Sequence, residues 1–128
     1  MGRVQAATMA LVFFTGVAGE CAFEEERAGM MGPAIVRKEP VGVVAAITPW
    51  NVPLFIAMLK LGPALAAGCT VVFKPAPATP LDPYPLAESP TEAGLPQGAL
   101  HFVPAAREPG AHLVPHRRTD QIPFRGPP

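Results

Sequence analysis

Two side chains in the sequence stand where an apolar run gives way to a turn, and both carry groups that bind polar partners. Asn51 follows Trp50 between Pro49 and Pro53, and the two prolines leave the backbone few options, so the amide is held in place. Lys74 ends the run Thr70-Val71-Val72-Phe73, β-branched up to its final aromatic residue, and precedes Pro75. An ammonium at the carboxyl end of a buried strand lies where ligands of parallel sheets collect. The plainer readings are a turn asparagine and a surface lysine that closes a strand. Cys69 offers a thiol, yet no histidine or helix start is near it in sequence to lower its pKa, so it reads as a buried, inert side chain. His112 and His116 stand at i and i+4, but Pro115 spoils the helix that would align them, and no metal site is expected.

The elements that must hold Asn51 and Lys74 are legible around them. Val41–Ile47 reads as a buried strand, Thr48–Pro53 as a tight turn, Leu54–Ala67 as an apolar helix, Gly68 as its stop and Thr70–Phe73 as a second buried strand. Pro63 is expected to break that helix or to start a new turn at Gly62-Pro63. Both strands are short, β-branched and apolar on both faces, which suits a parallel sheet covered by helices on each side. The unit is βαβ, and its ligand edge is the carboxyl end of the strands. Ahead of it, Met9, Val12, Phe13 and Val17 recur at helical spacing within residues 5–20. A rival reading of the same stretch is a secretory signal: Arg3, an apolar run to Val17, then small residues. Glu24 to Glu26 read as a solvated face.

Composition bounds the function classes. A chain of 128 residues with 49% hydrophobic side chains allows one domain with a modest core. Ten acidic and ten basic side chains cancel, so nothing points to nucleic acid or to an anionic membrane surface. Cys21 and Cys69 are too few and too far apart for a disulfide framework, which fits a reducing, cytoplasmic setting. The 18 prolines crowd into the second half. There Thr79-Pro80-Leu81-Asp82 starts a helix that should run to Glu92, but Pro83, Pro85 and Pro90 fall inside it, so the segment is expected to be irregular or partly helical. Residues 99–104 fit a third strand, and Thr119–Phe124 a fourth in which Pro123 cannot donate to a ladder.

Three blocks in order carry a family resemblance: Ile47-Thr48-Pro49-Trp50-Asn51-Val52-Pro53, then Lys60-Leu61-Gly62-Pro63-Ala64-Leu65-Ala66-Ala67-Gly68-Cys69, then Val71-Val72-Phe73-Lys74-Pro75. Together they resemble the NAD(P)-binding core of the aldehyde dehydrogenase superfamily. The match spans roughly residues 10–126 and is dense from 36 to 76. It implies an α/β fold: a Rossmann-like parallel sheet, here part of the NAD(P)-binding domain, with an N-terminal helix. Residues 1–39 would be that helix and a lead-in strand, and 40–128 the partial cofactor domain, proline-rich and degenerate from 79.

The resemblance also implies roles. Asn51 is the amide donor that stabilises the oxyanion when a cysteine thiolate attacks an aldehyde. Ile47, Thr48, Pro49, Trp50 and Lys74 line the site of NAD or NADP, with Lys74 on a ribose hydroxyl. Gly110 matches a glycine that follows the third strand. Gly126 matches one in a Phe-Thr-Gly-Ser turn that here reads Phe124-Arg125-Gly126-Pro127-Pro128, where two prolines supply no N–H to a phosphate. A glutamate that shares the ribose in many members is replaced by Pro77-Ala78. The implied reaction is oxidation of a small-molecule aldehyde to a carboxylic acid, in enzymes that are homo-oligomers. The nucleophilic cysteine and the water-activating glutamate lie farther along the family's chain, so this polypeptide alone is expected to be inactive. Two alternatives stand beside this reading: a non-catalytic fragment of a decayed gene without a stable fold, and a secreted proline-rich protein.

Overall fold

The computed structural model describes residues 2–79, 86 and 92–123. Along the chain run α1 (Arg3–Glu20), β1 (Glu24–Gly29), β2 (Gly32–Arg37), β3 (Val43–Ile47), α2 (Pro53–Ala66), β4 (Thr70–Lys74), β5 (Leu100–Phe102) and α3 (Arg107–Leu113). The architecture is α/β with an N-terminal helix, as the sequence pattern indicates.

The strands β3, β4 and β5 form a parallel sheet in that order, with Ile47 opposite Lys74 and Phe73 opposite Phe102. The buried side chains Val44, Ala45, Ala46, Val71 and Phe73 explain why β3 and β4 read as unbroken apolar runs: both faces are covered. Phe73 is 1% exposed and meets the Phe102 ring edge-on at 5.5 Å. Burying such a ring is worth about 1.5–3 kcal/mol. Helix α2 contributes Ala57, Met58 and Leu61 to the same core, and α1 adds Ala7 and Ala10. The two helices touch where Gly62 faces Phe14, since a Cβ there would lie 2.5 Å from the ring.

Helix α2 differs from expectation at Pro63, which sits inside an uninterrupted helix. The clash that normally bars a helical residue before proline involves that residue's Cβ, and Gly62 has none. The helix then closes three residues later, where the Gly68 and Cys69 amides donate to the Leu65 and Ala64 carbonyls. Of the expected fourth strand, the described residues form a single parallel bridge, between Gln121 and Val44. Asp120 anchors it, its carboxylate accepting the Val43 N–H at 2.8 Å. That approach requires Gly42, whose φ is +115° and whose absent Cβ would overlap the Asp120 carboxylate.

The helix expected from Thr79 to Glu92 falls mostly outside the described residues; Leu86 and Glu92 are helical, and Leu86 packs on the core. Strands β1 and β2 form an antiparallel hairpin in which Glu24 pairs with Arg37 at 2.8 Å and Glu25 with Arg27. These are solvated pairs of the kind that contribute little. Among the described residues no helix is long and apolar enough to cross a membrane.

Candidate functional site

The parallel register places the end of β3 and the end of β4 on one rim. Ile47 pairs with Lys74, and the Thr48 N–H donates to the Lys74 carbonyl at 3.2 Å. The chain leaving β3 therefore starts its loop directly beside Lys74. Along that loop Thr48 is 3% exposed, Pro49 is half-buried, and Trp50 and Asn51 are exposed. Val52, next to Asn51, has φ 155° and ψ 53°, a region that a β-branched residue enters only at a cost of about 1–3 kcal/mol. The buried Pro53 at the first turn of α2 holds the other side of the loop.

Lys74 is 3% exposed, and its Nζ donates to the Pro75 carbonyl at 3.2 Å. Gly110 of α3 lies against it: a Cβ there would sit 3.1 Å from both Cδ and Cε of Lys74. Burial lowers the Lys74 pKa, because removing an ammonium from water disfavours the charged form. The Thr48 hydroxyl, also buried, has no hydrogen-bond partner among the described residues. Among the described residues, then, the rim carries an unpaired hydroxyl and an ammonium with donors to spare, beside a helix that approaches closely because it carries glycine there.

Lys60 was not singled out by the sequence reading. It stands in α2, is 7% exposed, and its Nζ donates to the carbonyls of Ile47 and of Pro123, the latter at 2.6 Å. Burial lowers its pKa as well. It borders a cavity of about 190 Å³ together with Glu39, Leu59, Cys69 and Gln121. The available signal was a lone charge in an otherwise apolar helix, since such residues are seldom buried unless paired. Asp120 was likewise missed, and its partner is 77 positions away.

Of the residues singled out from the sequence, Ile47, Thr48, Pro49, Trp50, Asn51, Lys74 and Gly110 fall at or against this rim, whereas Gly126 lies outside the described residues. Cys69 is 6% exposed and precedes β4, so the whole strand separates it from Lys74. Both cysteines are free thiols.

Comparison with known proteins agrees with this geometry. The sequence profile of the aldehyde dehydrogenase family matches residues 1–127, α1 included. A geranial dehydrogenase from Castellaniella defragrans is 47% identical over 117 residues, which is 91% of this chain and 24% of that protein. A betaine aldehyde dehydrogenase from Vibrio vulnificus is 39% identical over 114 residues, 89% of this chain and 24% of that one. Among solved structures, a Mycobacterium tuberculosis aldehyde dehydrogenase complexed with NAD+ superposes with a TM-score of 0.86 at 47% identity, covering 91% of this chain and 24% of the other. The chain spans about a quarter of the length of these relatives. A rim-and-loop arrangement on a parallel sheet occurs in many folds, but its coincidence with a profile that runs through all but the last residue leaves one assignment: the chain belongs to the aldehyde dehydrogenase family.

Proposed function

We propose that the carboxyl rim of β3 and β4 binds NAD or NADP, and that the chain is the cofactor-binding part of an oxidoreductase acting on small-molecule aldehydes. The observation that carries this reading is the register of Ile47 with Lys74, which sets the Asn51 loop and the Lys74 ammonium on one rim. The residues present suit such a ligand. Among the described residues the buried Thr48 hydroxyl has no partner, and the Lys74 ammonium, with three protons, has one carbonyl acceptor. Both are groups that sugar hydroxyls or phosphate oxygens satisfy. Gly110 lets α3 lie on Lys74 and fixes where that ammonium points. Pro77-Ala78 stands where many members have a ribose-binding glutamate, so more of the ribose contact falls to Lys74.

The cofactor, held by Thr48 and Lys74, would supply the acceptor for the hydride of the aldehyde carbon. Asn51 serves the other side of that carbon: its amide N–H donates to the carbonyl oxygen as negative charge develops there. A donor aimed in this way is worth roughly 3 kcal/mol of transition-state stabilisation. The prolines on either side and the packed start of α2 supply the aim, because a donor already in place need not reorganise during the reaction. By the family resemblance, the thiolate nucleophile and the water-activating carboxylate belong to parts of the relatives that these 128 residues, about a quarter of their length, do not match. A polypeptide of these residues alone therefore binds the cofactor without turning over aldehyde. The cysteines, both free, fit a reducing cytoplasm. The hairpin β1–β2, with Met30, Met31 and Ile35 exposed, is the surface through which subunits would meet.

The test is a calorimetric titration of the purified chain with NAD and with NADP, followed by incubation with NAD and a panel of aliphatic and aromatic aldehydes. Saturable binding without NADH formation is expected. Absence of binding to either cofactor overturns the rim assignment, and NADH formation overturns the claim of inactivity.

A further inference from the structure

We infer that Lys60 is a positioning residue for the loop that carries Asn51, acting through the peptide group between Ile47 and Thr48. That one peptide is gripped from both sides. Its carbonyl accepts from the Lys60 ammonium of α2, and its N–H donates to the Lys74 carbonyl of β4 at 3.2 Å. The same ammonium reaches the Pro123 carbonyl at 2.6 Å and so ties in the segment that runs beside β3. Because the plane of a peptide moves as a unit, fixing both its ends fixes the direction in which the chain leaves the strand. Thr48, Pro49, Trp50 and Asn51 then follow from a set starting point.

The chemistry of the grip suits this role. Lys60 is 7% exposed in a helix that is otherwise apolar, and the ion pairs among the described residues, Glu24 with Arg37 and Glu25 with Arg27, do not involve it. A lysine in such a place is retained for its donors rather than for its charge. An apolar side chain of equal length would leave the Ile47 carbonyl facing α2 without a donor. The peptide could then tilt, and the Thr48 N–H would leave the Lys74 carbonyl. Both groups of the rim, the Asn51 amide and Lys74, depend on that peptide. The consequence for Asn51 rests on the function proposed above, but the grip itself does not.

The sole tryptophan, Trp50, lies two residues past the gripped peptide and reports on it directly. In Lys60→Met, which keeps the length of the side chain but removes its donors, cooperative melting is expected to persist. Acrylamide quenching of Trp50 should rise at least twofold, and its fluorescence anisotropy should fall. Lys60→Cys should show the same loosening, and alkylation with bromoethylamine, which restores an amine of nearly the same reach, should reverse it while leaving identically treated wild type unchanged. In the wild type, hydrogen exchange of the Thr48 amide should be at least a hundredfold slower than that of Asn51, a measurement that stands even if a variant fails to fold. Wild-type quenching in a folded Lys60→Met, no reversal by alkylation, or equal exchange at Thr48 and Asn51 each overturns the inference. NAD affinity, measured alongside, tests the cofactor reading separately from the grip.

Discussion

Replacing Gly110 with alanine separates cofactor binding from stability. The added Cβ would meet Cδ and Cε of Lys74 at 3.1 Å each, closer than ordinary van der Waals contact but against the flexible part of a side chain. Lys74 must therefore shift by a few tenths of an ångström, and since it is 3% exposed it has little room to do so without re-aiming its ammonium. For folding, the strain is opposed by the better helix propensity of alanine in α3, about 1 kcal/mol over glycine, so the melt should move little. For binding, the loss is a charge-assisted hydrogen bond, about 1.5–3 kcal/mol. At about 1.4 kcal/mol per decade, NAD should bind roughly ten- to a hundredfold more weakly. Calorimetric titration beside a thermal melt measures both. In a Lys74→Ala background the Gly110→Ala change should have no further effect on affinity, because the side chain it displaces is gone. Wild-type affinity in Gly110→Ala, or additive losses in the double variant, would refute the claim that Gly110 acts through Lys74.

Other expectations follow from contacts elsewhere. Gly42→Ala combines a φ of +115° with overlap onto the Asp120 carboxylate, so it should destabilise the chain by roughly 2–4 kcal/mol in urea unfolding. Asp120→Ala should leave the Val43 N–H unpaired and cost about 1–3 kcal/mol in the same assay. Gly62→Ala places a methyl group 2.5 Å from the Phe14 ring and should cost about 1–3 kcal/mol through overpacking between α1 and α2, with Phe14→Ala largely removing the conflict. The stability difference between wild type and Lys60→Met should grow in favour of wild type as pH rises towards 10.5. Burial lowers the folded pKa of Lys60 below that value, so in this window the unfolded chain holds more protons and each proton released favours folding. Glu39 is the carboxylate that lines the cavity beside Lys60. A difference that shrinks with rising pH would refute the sign.

The sequence by itself determined the unit β3-α2-β4 and the rim it presents. Doubly apolar β-branched runs, a proline-bounded turn and a glycine stop are local signals, and each acts within a few residues of where it is read. Asn51 and Lys74 were visible because both stand at the ends of such runs. What only the tertiary structure decided are the contacts between positions far apart: Lys60 on the carbonyls of Ile47 and Pro123, Asp120 on Val43 across Gly42, and Gly110 on Lys74. Local periodicity cannot carry them, since a hydrogen bond or a missing Cβ depends on which backbone arrives alongside. Pro63 belongs with them: its local meaning is a break, yet the preceding glycine and the packing of α2 between α1 and the sheet keep the helix whole.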